Sequence, residues 1–362
     1  MFWKRRTYFD YASGVSANPS SPHTEGREAK KTLEKARTMI ARLVEVQPDD
    51  VIFTSGATEA NALAILGILK KGDHAFYLPS AHASVVENMK LASERGTIVE
   101  TLPIKDGHVD CEELKIRLRP QTRLVVMDAV CGETGIVWNT RDVRQTIGAK
   151  VLLHVDASQA PLTEKITRAH FGADMLTFDA AKVGTMRGIG ALVAHRTISI
   201  LPLYAGGGQE RGLRSGSQTP ELAMHFATAL CATVRDRETF RTAAKKWRGQ
   251  LIAGIKKNIP NVYINEGRAQ VPHILNLSLP GRDTDYLIAL LDEEGFAVSS
   301  RSACETDSEE GSRAVYALSG DKERARATLR VSWGPSVSPH DFNRFVSALM
   351  RAVAFIDNDG QG

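Results

Sequence analysis

Lys182 and Asp156 are the residues whose types and spacing say most about chemistry. An apolar segment, VLLHV at 151–155, ends in Asp156, and a second one at 174–178 delivers Lys182 just past its end. A polar, helix-like stretch lies between them. Consecutive strands joined by such a crossover lie parallel, with a right-handed connection. Ligands of a parallel sheet collect beyond the carboxyl ends of its strands, so both side chains are expected to face one crevice. A lysine and a carboxylate meeting there suit pyridoxal phosphate: the amine holds the aldehyde as a Schiff base, and the carboxylate pairs with the pyridinium nitrogen. A strand-end salt bridge is the plainer reading of the same pair.

Further candidates lie at other element ends. Ser55-Gly56-Ala57-Thr58-Glu59-Ala60 reads as a strand–turn–helix, whose free helix amides and Thr58 hydroxyl would cradle a phosphate dianion. An ordinary glycine turn is the alternative. His82 follows a strand at the same sheet edge, where an imidazole could stack on a ring and move protons near neutral pH. It could equally be a hydrogen-bonded loop histidine. The segment 206–217, GGGQERGLRSGS, is too glycine-rich for a helix or a central strand. Its Arg211, Arg214, Ser215 and Ser217 could reach anionic groups, unless the loop is mobile and binds nothing. Cys304 is the one cysteine of the four in a polar, small-residue segment, where access favours thiolate chemistry. Arg330, within the apolar run 328–332, is either a solvated strand residue or a bidentate clamp for an α-carboxylate.

The elements that must position these groups alternate. Helical patterns at 28–44, 60–70 and from 82 to 95 interleave with strands at 51–54, 74–78, 124–127, 151–155, 174–178 and 190–194. That alternation predicts a mostly parallel, doubly wound sheet. After 206–208 the pattern changes to a long helix at 222–257. Strands at 273–279, 297–300 and 328–332 follow, with helices at 285–294 and 339–356. At 362 residues the chain exceeds the ~250–300 at which single cores stop growing, so two domains are expected. The division is 14–245 for a large cofactor-binding domain, with 1–13 and 246–362 forming a smaller α+β domain.

Composition narrows the function classes. Net charge is only +4, with both signs interspersed, which does not suggest direct nucleic-acid binding. The basic opening MFWKRR is not followed by an apolar run of roughly 7–15 residues, so it does not read as a secretory signal. No stretch of about 18 apolar residues predicts a membrane span. The cysteines show neither CxxC nor zinc-ligand spacing, so reduced thiols in the cytoplasm and no metal site are expected.

Taken together and in order, these segments resemble the cysteine desulfurases of the NifS/IscS kind, which are fold-type-I pyridoxal-phosphate enzymes of the class V aminotransferase family. The resemblance runs nearly end to end. It is carried by Tyr8-Phe9-Asp10-Tyr11, Asn18-Pro19, SGATEA, the His82 loop, Glu133-Thr134-Gly135, HVDASQ, the Lys182 strand with RGIGAL, GGGQERGLRSGS, SSRSAC and LRVS. It implies that Lys182 binds the cofactor aldehyde, Asp156 its ring nitrogen and Gln159 its ring oxygen. His82 would stack on the ring and transfer protons. Ala57, Thr58 and Ser217 from the other subunit of a homodimer would hold the phosphate, while Arg330 and Asn18 would bind the carboxylate of L-cysteine. Cys304 would take the substrate's sulfur as a persulfide, releasing alanine. The cysteine loop looks like the longer type that hands sulfur to an acceptor protein, in iron–sulfur cluster biogenesis or thio-modification.

The chain also departs from that pattern. Asp179-Ala180-Ala181 stands where the family usually has Ser-x-His before its lysine, and Cys131-Gly132 where it has Asn-Asn. Arg301 replaces the customary glycine beside the cysteine loop, and the N-terminal arm looks shortened between Gly14 and Asn18. An ionised Asp179 about 4 Å from a phosphate oxygen would cost ~4 kcal/mol at an effective dielectric of about 20. Two further readings therefore stand beside an active desulfurase. One is a relative with other chemistry on this fold, such as a selenocysteine lyase or an aminotransferase. The other is a scaffold that has lost its cofactor.

Overall fold

The structure, a computed structural model, describes residues 7–15, 17–184, 186–300 and 311–359. Cys304 and its loop lie outside the described residues. In chain order the elements are α1 (Thr24–Val44), β1 (Val51–Thr54), α2 (Ala57–Leu66), β2 (His74–Tyr77), α3 (Ala83–Glu94), β3 (Ile98–Thr101), β4 (Ile104–Lys105) and β5 (His108–Val109). Then come α4 (Cys111–Arg117), β6 (Thr122–Asp128), α5 (Thr140–Ile147), β7 (Leu152–Asp156), α6 (Arg168–Phe171), β8 (Met175–Asp179), β9 (Gly190–Ala194) and α7 (Pro220–Asn258). The rest are β10 (Tyr263–Ile264), β11 (Ile274–Ser278), α8 (Thr284–Glu293), α9 (Arg313–Ser319), α10 (Lys322–Arg326), β12 (Thr328–Ser332) and α11 (Pro339–Asp359).

Seven strands form one sheet in the order β1-β9-β8-β7-β6-β2-β3. The pairs among β8, β7, β6, β2 and β3 are parallel. Sheets of this kind carry helices on both faces, so their strands read as apolar runs rather than alternations. Leu124, Val125, Val126 and Met127 of β6 are accordingly all buried. The expected parallel sheet is present, with a difference at one edge: β9 runs antiparallel to both β8 and β1. Only residues 180–189 separate β8 from β9, and a parallel return needs a crossover of about a dozen residues or more. The short connection forces a reversal, and it also holds Lys182 at the sheet edge.

Two other expectations are corrected. The helix-like stretch between β7 and β8 is mostly irregular, and only the four-residue α6 is helical. The strand expected at 297–300 reduces to a bridge between Ser299 and Arg330. Its small polar residues pair with one position of β12 and do not extend the ladder.

Helix α1 shows why the outer layer forms. Ala29, Leu33, Ala36, Ile40 and Val44 recur every three or four residues and are all buried, which places one apolar stripe on the core. Its larger side chains, Leu33, Ile40 and Val44, each contribute roughly 1.5–3 kcal/mol by burial. His23 caps its start by accepting from Gly26 N at 3.2 Å. One hydrophobic cluster surrounds the seven-stranded sheet. A second is built from Phe240, Leu251, Leu275, Leu329, Trp333, Phe345 and their neighbours around the antiparallel sheet β10-β11-β12. Helix α7 contributes to both clusters.

Candidate active site

The carboxyl ends of β6, β7 and β8 open onto one pocket of about 240 Å3. Asp128, Asp156, Asp179 and Lys182 line it from the strand ends, Ala57 and Thr58 from the start of α2, and His82 from the start of α3. Gln159 and Ser158 come from the turn after β7, and Arg330 reaches in from β12 of the smaller sheet. Lys182 and Asp156 thus face a single crevice, as their spacing implied. Arg330 is half-buried and donates to Gly132 O at 3.2 Å, so it points at the pocket and away from a solvated strand face.

Asp156 is held by two donors: Asn61 Nδ2 at 2.7 Å and the backbone N–H of Ser158 at 2.9 Å. The same Asn61 amide donates to Ser84 Oγ at 2.9 Å, and Asn61 Oδ1 contacts His154 Nε2 at 2.9 Å. Ser84 Oγ lies 2.9 Å from Nδ1 of His82, and Ser84 N donates to that nitrogen at 3.2 Å. Nδ1 is therefore an acceptor, which leaves the hydrogen of the neutral His82 ring on Nε2. Burial pushes the His82 pKa down; the Lys182 and Arg313 charges push the same way, and Asp156 opposes them. Burial likewise takes His154 down to about 4, so it is neutral beneath the site.

The phosphate end differs from its expectation. Gly56 adopts φ 153°, and a Cβ on Gly190 would lie 2.7 Å from the Gly56 backbone, so both positions require glycine for the turn to sit against β9. The turn's amides are engaged by the chain's own carboxylates: Ser55 N donates to Glu59, and Ala57 N donates to Asp179 Oδ2 at 2.9 Å. Asp179 Oδ1 accepts from Ala181 N at 2.8 Å. Asp179 faces the cradle and is not turned away from it.

The glycine-rich segment is anchored. Glu210 is buried and forms a two-point ion pair with Arg37 at 2.7 and 2.8 Å, and it accepts from Phe53 N at 2.8 Å. Arg211 donates to Asp49 O, and Arg214 pairs with Glu59 at 3.2 Å, so both arginines serve internal partners. Ser217 is exposed at the end of this segment, outside the pocket lining. Asn18 also lies outside it and accepts from Ser20 N, a local turn.

Sequence reasoning missed Asn61, Ser84 and Asp128. Asn61 is a fully buried polar residue in a helix whose other buried positions, Ala60, Leu63, Ala64 and Ile65, are apolar. That contrast was its only signal. Cys131 lines the pocket, but burial, with the Asp128 and Glu133 charges, pushes its thiol up to about 11, so it is not a nucleophile.

The donor set suits a phosphorylated pyridine aldehyde. An amine, a held carboxylate, an amide and an imidazole converge on one space, and Ser80 Oγ, Asp128 Oδ1 and Ser158 Oγ, all on residues more than nine-tenths buried, line it with no partner among the described residues. Unpaired buried polar atoms are costly unless a ligand satisfies them.

Residues 6–345 match the family described as aminotransferase class-V. A relative described as cysteine desulfurase IscS 1, from Archaeoglobus fulgidus, is 30% identical over 94% of this chain and 95% of its own length. This chain belongs to the class V aminotransferases, among the cysteine desulfurases. The solved structure of a NifS-like protein superposes with a TM-score of 0.86 at 28% identity, covering 94% of this chain and 92% of its own. Another solved structure, SspA in complex with cysteine, has a TM-score of 0.75 at 27% identity, covering 90% of this chain and 93% of its own. The fold-type-I architecture that the family resemblance implied is the one the chain has.

Proposed function

We propose that the chain converts L-cysteine to L-alanine with pyridoxal 5'-phosphate as cofactor and passes the sulfur to Cys304. The observation that carries this reading is the convergence of Lys182, Asp156 and Arg330 on one pocket from two separate sheets. The cofactor, when bound, supplies the electron sink that makes carbon–sulfur cleavage accessible. Lys182 anchors its aldehyde. Asp156, fixed by Asn61 and Ser158, would pair with the ring nitrogen and favour its protonated form. Gln159 would hold the ring oxygen, and His82 would stack on the ring and move protons. Arg330 orients the substrate carboxylate through its planar, two-point donor geometry. The Cys304 thiol takes the sulfur as a persulfide, and the C–S electron pair and a proton stay on carbon to give alanine.

Ala57 and Thr58 serve the phosphate, joined by Ser217 from a partner subunit, which requires a homodimer. Asn18 assists Arg330 once the arm adjusts around substrate. The persulfide is handed to an acceptor protein, which supports a role in iron–sulfur cluster assembly or thio-modification. The three described cysteines are free thiols, in keeping with a cytoplasmic setting, and no described helix is long and apolar enough to cross a membrane. The two hydrophobic clusters support a division of the chain near residue 245.

The test is sulfide release from L-cysteine. Cys304→Ala is expected to abolish it while keeping the vitamin's Lys182-dependent absorbance, and Lys182→Ala to lose both. Unchanged sulfide release from Cys304→Ala would overturn the assignment and favour a relative whose chemistry needs no protein thiol.

A further inference from the structure

We infer that the carboxylate of Asp179 is an internal occupant of the phosphate cradle, which must be displaced or neutralised before a phosphorylated cofactor seats. The inference rests on the pyridoxal-phosphate reading above and deepens it. Three observations meet here. Asp179 Oδ2 accepts from Ala57 N, the first residue of α2, at 2.9 Å. That oxygen also lies 3.2 Å from where a Cβ of Gly56 would be, so the carboxylate sits over the glycine turn where an anion approaches a helix start. The same side chain lines the pocket that holds Lys182 and Asp156, together with the buried Ser80 and Ser158 hydroxyls, which have no partner among the described residues.

A helix N-terminus attracts an anion through its unpaired amides and the positive end of its dipole. In this chain one of those amides, Ala57 N, is already met by Asp179, and Ser55 N just ahead of the helix is met by Glu59. An arriving phosphate dianion therefore loses one amide donor and faces a like charge. The ring end of the pocket carries no such conflict. Asp179 thus sets the selectivity between phosphorylated and unphosphorylated forms of the same vitamin, and it lowers the site's affinity for the phosphorylated one. It is a positioning residue for the cradle, braced by its second hydrogen bond to Ala181 N at 2.8 Å.

The experiment titrates the full chain with pyridoxal phosphate and, separately, with unphosphorylated pyridoxal, reading bound vitamin by its absorbance. Asp179→Ser removes the carboxylate; Asp179→Asn keeps its shape and an acceptor but removes the charge. Both are expected to tighten pyridoxal phosphate by about tenfold or more, a change equal to ~1.4 kcal/mol. Pyridoxal affinity should stay within about twofold. Inorganic phosphate should compete with pyridoxal phosphate more effectively in both variants than in the parent. Equal or weaker binding of pyridoxal phosphate by both folded variants would show that Asp179 only braces the turn, and would overturn the inference while leaving the desulfurase reading intact. If parent and variants bind neither form of the vitamin, and Lys182→Ala behaves like them, the cofactor reading itself falls, and this inference with it.

Discussion

Asp128 and Asp156 are cross-strand partners at the ends of the parallel strands β6 and β7, which places two carboxylates side by side on the pocket floor. Their surroundings separate their roles. Asp156 receives two hydrogen bonds, whereas Asp128 Oδ1 has no partner among the described residues. Burial drives the Asp128 pKa well above the usual carboxylate range, the Asp156 charge adds to this, and the His82 backbone amide only partly opposes it. Asp128 therefore holds its proton more firmly than an exposed carboxyl does.

A raised folded-state pKa means that this carboxyl's contribution to stability is complete below its unfolded value of ~3.9 and is lost as pH rises toward the folded one. Asp128→Asn should remove that dependence. Its stability should exceed that of the parent at neutral pH and converge with it in acid. Denaturant melts at several pH values check this; a constant difference across pH would contradict it.

Asn61 ties together Asp156, Ser84 and His154, and no other described side chain donates to Asp156. Asn61→Leu leaves buried acceptors without partners, which should cost about 2–3 kcal/mol. It should also weaken cofactor retention, because Asp156 loses one of its two restraints. Equilibrium unfolding and cofactor titration report the two effects separately.

His82 is held below its ordinary pKa by burial, with the Lys182 and Arg313 charges adding and Asp156 opposing. For a depressed base the neutral form's advantage is present above the unfolded pKa of ~6.5 and lost as pH falls through the folded value. The acid limb of kcat/KM due to His82 should therefore lie below pH ~6.5, with no loss of rate between pH 8 and 7 from this group. A pH–rate profile in which that limb persists in His82→Gln would assign it elsewhere.

Arg330 enters the pocket as a planar guanidinium anchored on Gly132 O. Arg330→Lys keeps the charge and loses the two-point geometry, so KM for cysteine should rise by about tenfold to a hundredfold, on the order of 1.4–2.7 kcal/mol. An unchanged KM would place the carboxylate on another residue.

Cys131, with its thiol near 11, holds about one thiolate in ten thousand molecules at pH 7. Brief alkylation of the native protein followed by mass spectrometry should find it unmodified, despite its place in the pocket wall.

Much of this was readable along the chain. Strands β1, β9 and β12 occupy the residues their apolar runs indicated. The Lys182–Asp156 pairing followed from strand ends alone, because consecutive parallel strands present their carboxyl termini to one edge. The four-residue α6 was over-read as a full crossover helix, since polar composition does not distinguish helix from ordered loop. The exposed β3 was missed for the opposite reason: it lies at the sheet edge and lacks a buried run.

By itself the sequence determined which chemical groups arrive at which element ends, because strand and helix periods are local properties of neighbouring residues. Only the tertiary structure decided where those groups point. Arg330 is brought to Gly132 across two sheets, Asn61 is turned under Asp156, and Asp179 is swung onto the amide of Ala57. Each direction depends on what packs against the side chain from a distant segment, and that information is not carried by spacing along the chain.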